Sequence, residues 1–425
     1  MKKFLLLIVI FFLSFSNLFS EDNYLSWHEC VQLTLKNNPD IMSAKENLNQ
    51  TKAAKGIARS SVLPTVNSSA SFGKRVAGTN YNNNSGNYTY SASARQLLFD
   101  GLKSFYDIKR ADVQISAAEM SYLTKEIDTI YNVRCYFIDL MKAENYISIT
   151  ESIYKRRMTN YNLVKIRYDT GRENKGSLLS SEADVLNSKT AMENAKLNRQ
   201  LSKKALYTSM GFPEFDKSFT VALNFSTSID TSIQPNFSYI AENNPLLRQM
   251  IFNTESAEYA KKASIAEFFP KIYAGLNAHA NGDSPNPHNR NLSVGIDISM
   301  PIFLGGSRYY SEKRAESAYR QSRIEQSGTR NSVLLTLEKA WTNLQIKSQN
   351  LAVQETFLKA AQERAKIAES QYAIGIISFN EWNIIEEAMV NSMNNHLNAK
   401  ADLLYAEAIW VQATGGINEY EKYED

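Results

Sequence analysis

The chain has 425 residues, 43% of them hydrophobic and 21% charged, with 47 Lys and Arg against 44 Asp and Glu for a formal net charge of +3. So even a balance excludes a nucleic-acid partner, which would require a strongly basic face. Nine prolines and 17 glycines are few against average usage of about 5% and 7%, and the shortfall predicts long uninterrupted helices.

The N-terminus sets the compartment. Met1-Lys2-Lys3 is basic, Phe4 to Leu13 is an unbroken apolar run, and Ser20 is a small residue ahead of a cut. Residues 1–20 therefore read as a secretory signal peptide, because the run is too short for a membrane span and polar residues follow at once. Removing it takes away two lysines and leaves a mature charge of about +1. No later stretch reaches the roughly 20 apolar residues of a transmembrane helix. Cys30 lies too far downstream to carry a lipid anchor. Cys30 and Cys135 are the only cysteines, and free thiols are expected ahead of a disulfide.

The mature sequence is written twice. Asn37-Asn38-Pro39 recurs as Asn243-Asn244-Pro245 and Pro64 as Pro270, displaced by 206 positions. Phe99 recurs as Phe303, Lys109-Arg110-Ala111 as Lys313-Arg314-Ala315, Tyr168 as Tyr372, Gly171 as Gly375 and Gly211 as Gly415, displaced by 204. This period is far longer than the 20–50 residues of a solenoid repeat, so it marks a duplicated supersecondary unit.

The first repeat covers 21–211. A helix over about Ser26–Ser61 is interrupted at Asn38-Pro39, because the residue before proline avoids the helical region. Strands follow at about 64–73 and 88–99, joined by the polar loop Lys74–Asn87. A long helix then runs over about 102–170 with no Gly or Pro, a rod of roughly 100 Å at 1.5 Å per residue. Tyr168-Asp169-Thr170-Gly171 ends it, glycine suiting the left-handed residue that closes a helix. A second helix over about Ser177–Met210 stops at Gly211. Residues 212–236 connect the halves.

The second repeat, 237–416, has the same order. A helix over about Phe237–Glu267 is interrupted at Asn244-Pro245. Strands lie at about 270–280 and 291–302, with a loop over Asn281–Arg290. The long helix spans about 307–374 and turns at Gly375, and a last helix over about Asn380–Thr414 stops at Gly415. Residues 417–425 form a charged, loose tail.

The strands carry the most information. Val66, Ser68, Ala70 and Phe72 alternate with Thr65, Asn67, Ser69 and Ser71, and Leu292, Val294, Ile296 and Ile298 with Ser293, Gly295, Asp297 and Ser299. Period two sustained over eight residues is a strand between two different environments. Each strand has about the 9–11 residues needed to cross a bilayer at a tilt. The polar faces hold Arg95, His279 and Asp297, expected to line a lumen. Phe99, Phe268, Phe269 and Phe303 sit at the helix-proximal end, where an aromatic belt is expected.

Four strands cannot close a barrel, and an open edge in lipid leaves backbone groups unpaired at several kcal/mol each. Spanning barrels have at least about eight strands. The small polar inward residues suit a water-filled lumen better than a filled eight-stranded barrel, so twelve strands from three chains are expected. The long helices lack a thick leucine stripe, which suits a hollow ring. The fold class is thus mainly α with a membrane β part: a duplicated helix–strand–strand–long helix–helix repeat, and a trimeric 12-stranded β-barrel continuing into an α-helical barrel.

No catalytic constellation is present. His28, His279, His288 and His396 lack metal-ligand spacing, and no G-x-S-x-G, H-E-x-x-H or phosphate loop occurs. Neither an enzyme nor a cofactor or metal site is expected. The rival readings without a channel are a periplasmic coiled-coil tether and a secreted adhesin, neither of which needs a lipid-facing sheet.

Leu25-Ser26-Trp27-His28-Glu29-Cys30 leading into Asn37-Asn38-Pro39, the Ala58–Pro64 approach to the first strand, the two tips at Gly171 and Gly375 and the stops at Gly211 and Gly415 together resemble the outer membrane efflux proteins, the TolC-like outer membrane factors. The resemblance covers essentially the whole mature chain, and the duplicated order of elements is its specific part. It implies a homotrimer in outer membrane lipid with a long periplasmic extension. It also implies a passive exit duct for small-molecule efflux or type I secretion, docking with a periplasmic adaptor (membrane fusion) protein and an inner-membrane transporter. By that mapping Tyr168, Gly171, Tyr372 and Gly375 are tip residues for adaptor docking, although a glycine helix stop is needed whatever it touches. The family often has an acidic residue six positions past the second tip glycine. Here that residue is Glu381, which implies a carboxylate ring at a gate, while a solvated helix face is the plainer reading. The second acidic position of that motif is Ile384, and the first tip, Gly171-Arg172-Glu173-Asn174-Lys175-Gly176-Ser177, also departs from the pattern.

Overall fold

The structure is a computed structural model that describes residues 24–74, 86–212, 220–221, 229, 231 and 233–416. The signal segment 1–20, most of the Lys74–Asn87 loop, most of the 212–236 connection and the 417–425 tail lie outside the described residues.

Helix α1 (Trp27–Asn37) starts where Ser26 accepts from the Glu29 backbone while the Glu29 carboxylate accepts from the Ser26 backbone, a reciprocal capping box. It ends at Asn38, and α2 (Pro39–Ser60) begins at once with proline, which suits the first helical position because its missing N–H would have no partner there. The Asn38 side chain accepts from the backbone N–H of Asp40 at 2.9 Å and donates to the Ser209 carbonyl at 2.7 Å. The second repeat breaks the same way: α5 (Phe237–Asn243) gives way to α6 (Pro245–Ala266), with Asn244 as the cap.

The long helices are α3 (Lys103–Asp169) and α7 (Ser307–Ala373), each of 67 residues. Their partners α4 (Lys175–Ser209) and α8 (Phe379–Ala413) each have 35. A two-residue parallel pair joins β1 (Tyr24–Leu25) to β4 (Thr220–Val221). The main sheet contains β2 (Thr65–Gly73), β3 (Asn87–Phe99), β5 (Lys271–Gly282) and β6 (Asn289–Ser299), antiparallel in the order β2-β3-β5-β6. No described helix is long and apolar enough to cross a membrane.

The chain forms two compact units, and neither is one sequence repeat. The described residues within 1–42, 126–236 and 336–425 make the first, and those within 43–125 and 237–335 the second. Each draws on both halves of the sequence. In the first unit, Cys30 of α1, Val133, Phe137, Ile138, Leu140 and Met141 of α3, Leu206 and Met210 of α4, and Leu404 of α8 form one apolar cluster. A leucine buried there contributes about 1.5–3 kcal/mol. Cys30 and Cys135 are both free thiols, and burial pushes the Cys30 thiol up to about 12, where it behaves as a small hydrophobe. Gly211 closes α4 at φ +95, and a Cβ on it would lie 2.4 Å from the Asn37 carbonyl oxygen. The repeated Asn-Asn-Pro break and the glycine stop thus pack together.

Candidate functional site

The sheet of the second unit separates two chemistries. Its three pairings keep one parity from the hairpin end as far as Leu97: Ala70 lies opposite Tyr90, Tyr90 opposite Ala280, and Ala280 opposite Arg290. One face therefore collects Val66, Phe72, Ala92, Ala94, Ile272, Leu276, Leu292, Val294, Ile296 and Ile298. The other collects most of the Ser, Thr and Asn positions. Much of the apolar face is left uncovered by the described residues: Val66 is 75% exposed, Val294 78% and Ile296 71%. The outer edges of β2 and β6 have no strand partner among the described residues.

Arg95, His279 and Asp297 all lie on the polar face. His279 is registered between Ser91 and Asn291. Arg95 stacks over the Tyr273 ring at 3.7 Å and reaches Asp297 at 3.4 Å. This is a link along the wall of the sheet, within one chain. Both side chains stay more than half exposed, so solvent screens the pair and its worth to stability is small.

The four belt phenylalanines are all exposed. Phe268 and Phe269 form the turn before β5, with backbone bonds to Ile265 and Ala266, and Phe303 follows β6. Phe99 is aimed by a β-bulge. The register slips between Leu97 and Phe99, which brings Phe99 opposite Ile272 on the apolar face. Strict alternation would have sent it to the polar side. The sequence carries no distinct signal for this bulge.

The hairpin tips belong to the first unit. Gly171 (φ +73) and Gly375 (φ +84) occupy the left-handed region that side chains avoid. At each tip the glycine N–H donates to the tyrosine carbonyl two residues into the helix, Tyr168 or Tyr372, and the next N–H donates to Arg167 or Gln371. This is the double bond of a Schellman stop. The two tyrosines are thus geometric equivalents, but their rings differ. Tyr168 is half-buried. Tyr372 is fully buried, stacked on Trp382 at 4.3 Å with a 15° tilt.

The two hairpins are joined at this tyrosine. Its hydroxyl donates to the Glu173 carboxylate at 2.8 Å, and Arg167 donates to its carbonyl at 2.7 Å while lying over its ring at 4.7 Å. The charged first tip thereby has two uses: Glu173 reaches the other repeat, and Asn174 caps α4 by accepting from the Ser177 N–H at 2.9 Å. Burial opposes ionisation of Glu173. The Tyr372 hydroxyl, the Asn174 and Ser177 donors and the Arg167 charge outweigh it and hold the carboxyl below its usual range. Burial and the adjacent carboxylate push the Tyr372 phenol up, so it keeps its proton and donates.

Deeper in the same unit, Arg156 of α3 holds Glu386 of α8 with two bonds of 2.5 and 2.6 Å, and Asn160 adds a third at 3.1 Å. Glu386 is 1% exposed. Arg157 beside it bonds Asn383 at 2.9 Å. Sequence analysis missed this latch and the roles of Arg167, Glu173 and Trp382. A signal existed: Arg156-Arg157 aligns with Ala360-Ala361 at the 204 offset, and a charge gained by one repeat only needs an acceptor in the other.

Glu381 is exposed and completes the capping box of α8. It accepts from the Ser378 backbone at 2.9 Å and side chain at 3.0 Å, and these bonds hold its carboxyl below the usual range. The carboxylate has a local structural duty, and Ile384 one turn on is 63% exposed.

The model of the family described as outer membrane efflux protein matches residues 30–212 and 237–416, one match in each repeat. Outer membrane efflux protein BepC of Brucella suis biovar 1 is 20% identical over 386 residues, covering 89% of this chain and 79% of BepC. Alkaline protease secretion protein AprF of Pseudomonas aeruginosa is 20% identical over 397 residues, 88% of this chain and 81% of AprF. Among solved structures, CusC superposes with a TM-score of 0.82 at 17% identity, covering 94% of this chain and 95% of CusC. The CmeC outer membrane channel of Campylobacter jejuni gives 0.77 at 18% identity, covering 92% and 85%. At these identities the structural match establishes the fold.

Proposed function

The chain belongs to the outer membrane efflux protein family, and we propose that three copies of it assemble an exit duct across the outer membrane. The observation that carries this reading is the four-stranded sheet with one face dominated by apolar residues, many of them exposed, and no strand partner at either outer edge among the described residues. Lipid is the environment that such a face matches, and closure with neighbouring copies is what such edges need. Three copies give twelve strands, enough to surround water. Arg95, His279 and Asp297 then line the lumen, and Phe99, Phe268, Phe269 and Phe303 stand at the inner interface of the bilayer.

The long helices form the periplasmic part of this duct, and the Gly171 and Gly375 turns with the half-buried Tyr168 meet an adaptor coupled to an inner-membrane transporter, while the buried Tyr372 shapes the tip from within. Glu381 supplies three carboxylates around the narrowing. Relatives named for efflux and for protease secretion match 89% and 88% of the chain, which supports a duct indifferent to cargo, with the pump choosing what passes.

The test is direct. The mature protein should be extracted from outer membranes only by detergent, behave as a trimer, and give ion-conducting channels in a planar bilayer. A monomer without conductance, or release by mild washing, overturns the duct in favour of a tether or adhesin.

A further inference from the structure

The apolar face of the sheet is not uniform along its length. Among the apolar-face positions of β2, β3, β5 and β6, none is Asp or Glu. Basic residues occur on this side at one end only. Arg290 opens the series Leu292, Val294, Ile296, Ile298, and Lys74, two residues past Phe72, continues the corresponding series of β2. Both are exposed, and both lie at the hairpin end of the sheet, away from the helices. Just inside them the same face carries aromatic rings: Phe72 packs on Tyr88 at 4.7 Å, and the Tyr90 hydroxyl donates to the Pro285 carbonyl. The order is aliphatic, then aromatic, then cationic. The helix-proximal end of this face ends in aromatic and aliphatic residues without a charge.

A cation next to an apolar band extends its head group to the membrane surface. There it is attracted to anionic lipid, at a strength of about 1 kcal/mol per Lys or Arg. Arg290 is held at that level: its guanidinium donates to the Pro287 carbonyl at 3.4 Å and to the Asn286 side chain at 3.2 Å. From this juxtaposition we infer that Lys74 and Arg290 form a lipid-side collar that binds phosphate-bearing headgroups of the leaflet facing the hairpin loops. The proposal rests on the duct reading, since it needs the apolar face to meet lipid. It goes further by assigning a lipid class and two residues that face away from the lumen.

Native mass spectrometry of the detergent-purified oligomer tests it. The oligomer is titrated with phosphatidic acid, with phosphatidylcholine of the same acyl chains, and with phosphatidic acid in the presence of inorganic phosphate. The wild type should prefer phosphatidic acid by on the order of tenfold, and the Lys74→Ala, Arg290→Ala double variant should bind the two lipids alike. Inorganic phosphate should compete poorly, because it lacks the acyl chains that the apolar band holds. Equal binding of the two lipids by the wild type, an unchanged preference in the variant, or full displacement by inorganic phosphate overturns the collar. Conductance of the same variant separates the two readings: a conducting trimer with no lipid preference removes the collar and leaves the duct standing, whereas loss of trimer and current in the wild type removes the duct.

Discussion

The Tyr372 hydroxyl and the Glu173 carboxylate form the contact that ties one hairpin tip to the other. Tyr372→Phe keeps the stacked ring and deletes only this bond, so it should cost about 1 kcal/mol, seen as faster amide exchange around Gly171 and Gly375. The contact is also pH-dependent. The folded pKa of Glu173 is depressed, so its contribution is complete above the ordinary glutamate value of about 4.3. It is lost as pH falls through the lower folded value. Tip exchange should therefore rise on acidification below about pH 4 in the wild type and much less in Tyr372→Phe. Glu381 needs a variant that separates charge from capping. Glutamine also serves in a capping box, so Glu381→Gln should keep α8 intact. If three carboxylates line the narrowing, it should reduce cation selectivity of single-channel currents; unchanged selectivity assigns Glu381 to the cap alone.

At the level of elements, specific polar links join the long helices to their neighbours. Glu386 on α8 is buried against Arg156 and Asn160 on α3. Removing one partner of a buried ion pair leaves the other charge without compensation. Arg156 is partly exposed and keeps Glu369 at 3.6 Å, so Glu386→Ala should cost toward the low end of the usual range, about 3 kcal/mol. A lowered thermal midpoint of the detergent-solubilised protein checks this. Such a link contributes less to net stability than apolar packing would, but it fixes the register of α8 on α3, which a groove of alanines does not. The elements themselves were legible in sequence because their boundaries are local events: Ser26 with Glu29, proline after Asn38 and Asn244, and glycine at the two tips each act within a few residues. The bulge before Phe99 was not legible, because it depends on which residue of β5 lies opposite.

For the whole molecule, the two faces of the sheet should respond oppositely to the same change. A guanidinium at Ile296 would sit in the lipid-facing band at about 2–4 kcal/mol per copy near the bilayer midplane. Ile296→Arg should therefore leave little trimer in the outer membrane. Ser293→Arg, three positions away on the polar face, should assemble normally and lower the conductance. Extraction yield and single-channel recording on the two variants test this contrast. Equal tolerance of both would mean that neither face meets lipid.

The sequence by itself determined the repeat, the helix and strand order and the two-faced strands, because periodicity and turn chemistry are properties of short segments. Only the tertiary structure decided that the compact units are each assembled from both repeats, that Tyr372 is buried while its equivalent Tyr168 is not, and that Arg95 meets Asp297 along one wall. Those outcomes depend on which side chains from distant segments arrive at the same place. Two copies of one design stay alike wherever backbone geometry alone is required, as at Gly171 and Gly375. They diverge where each copy packs against the other, and a linear pattern carries no distances between them.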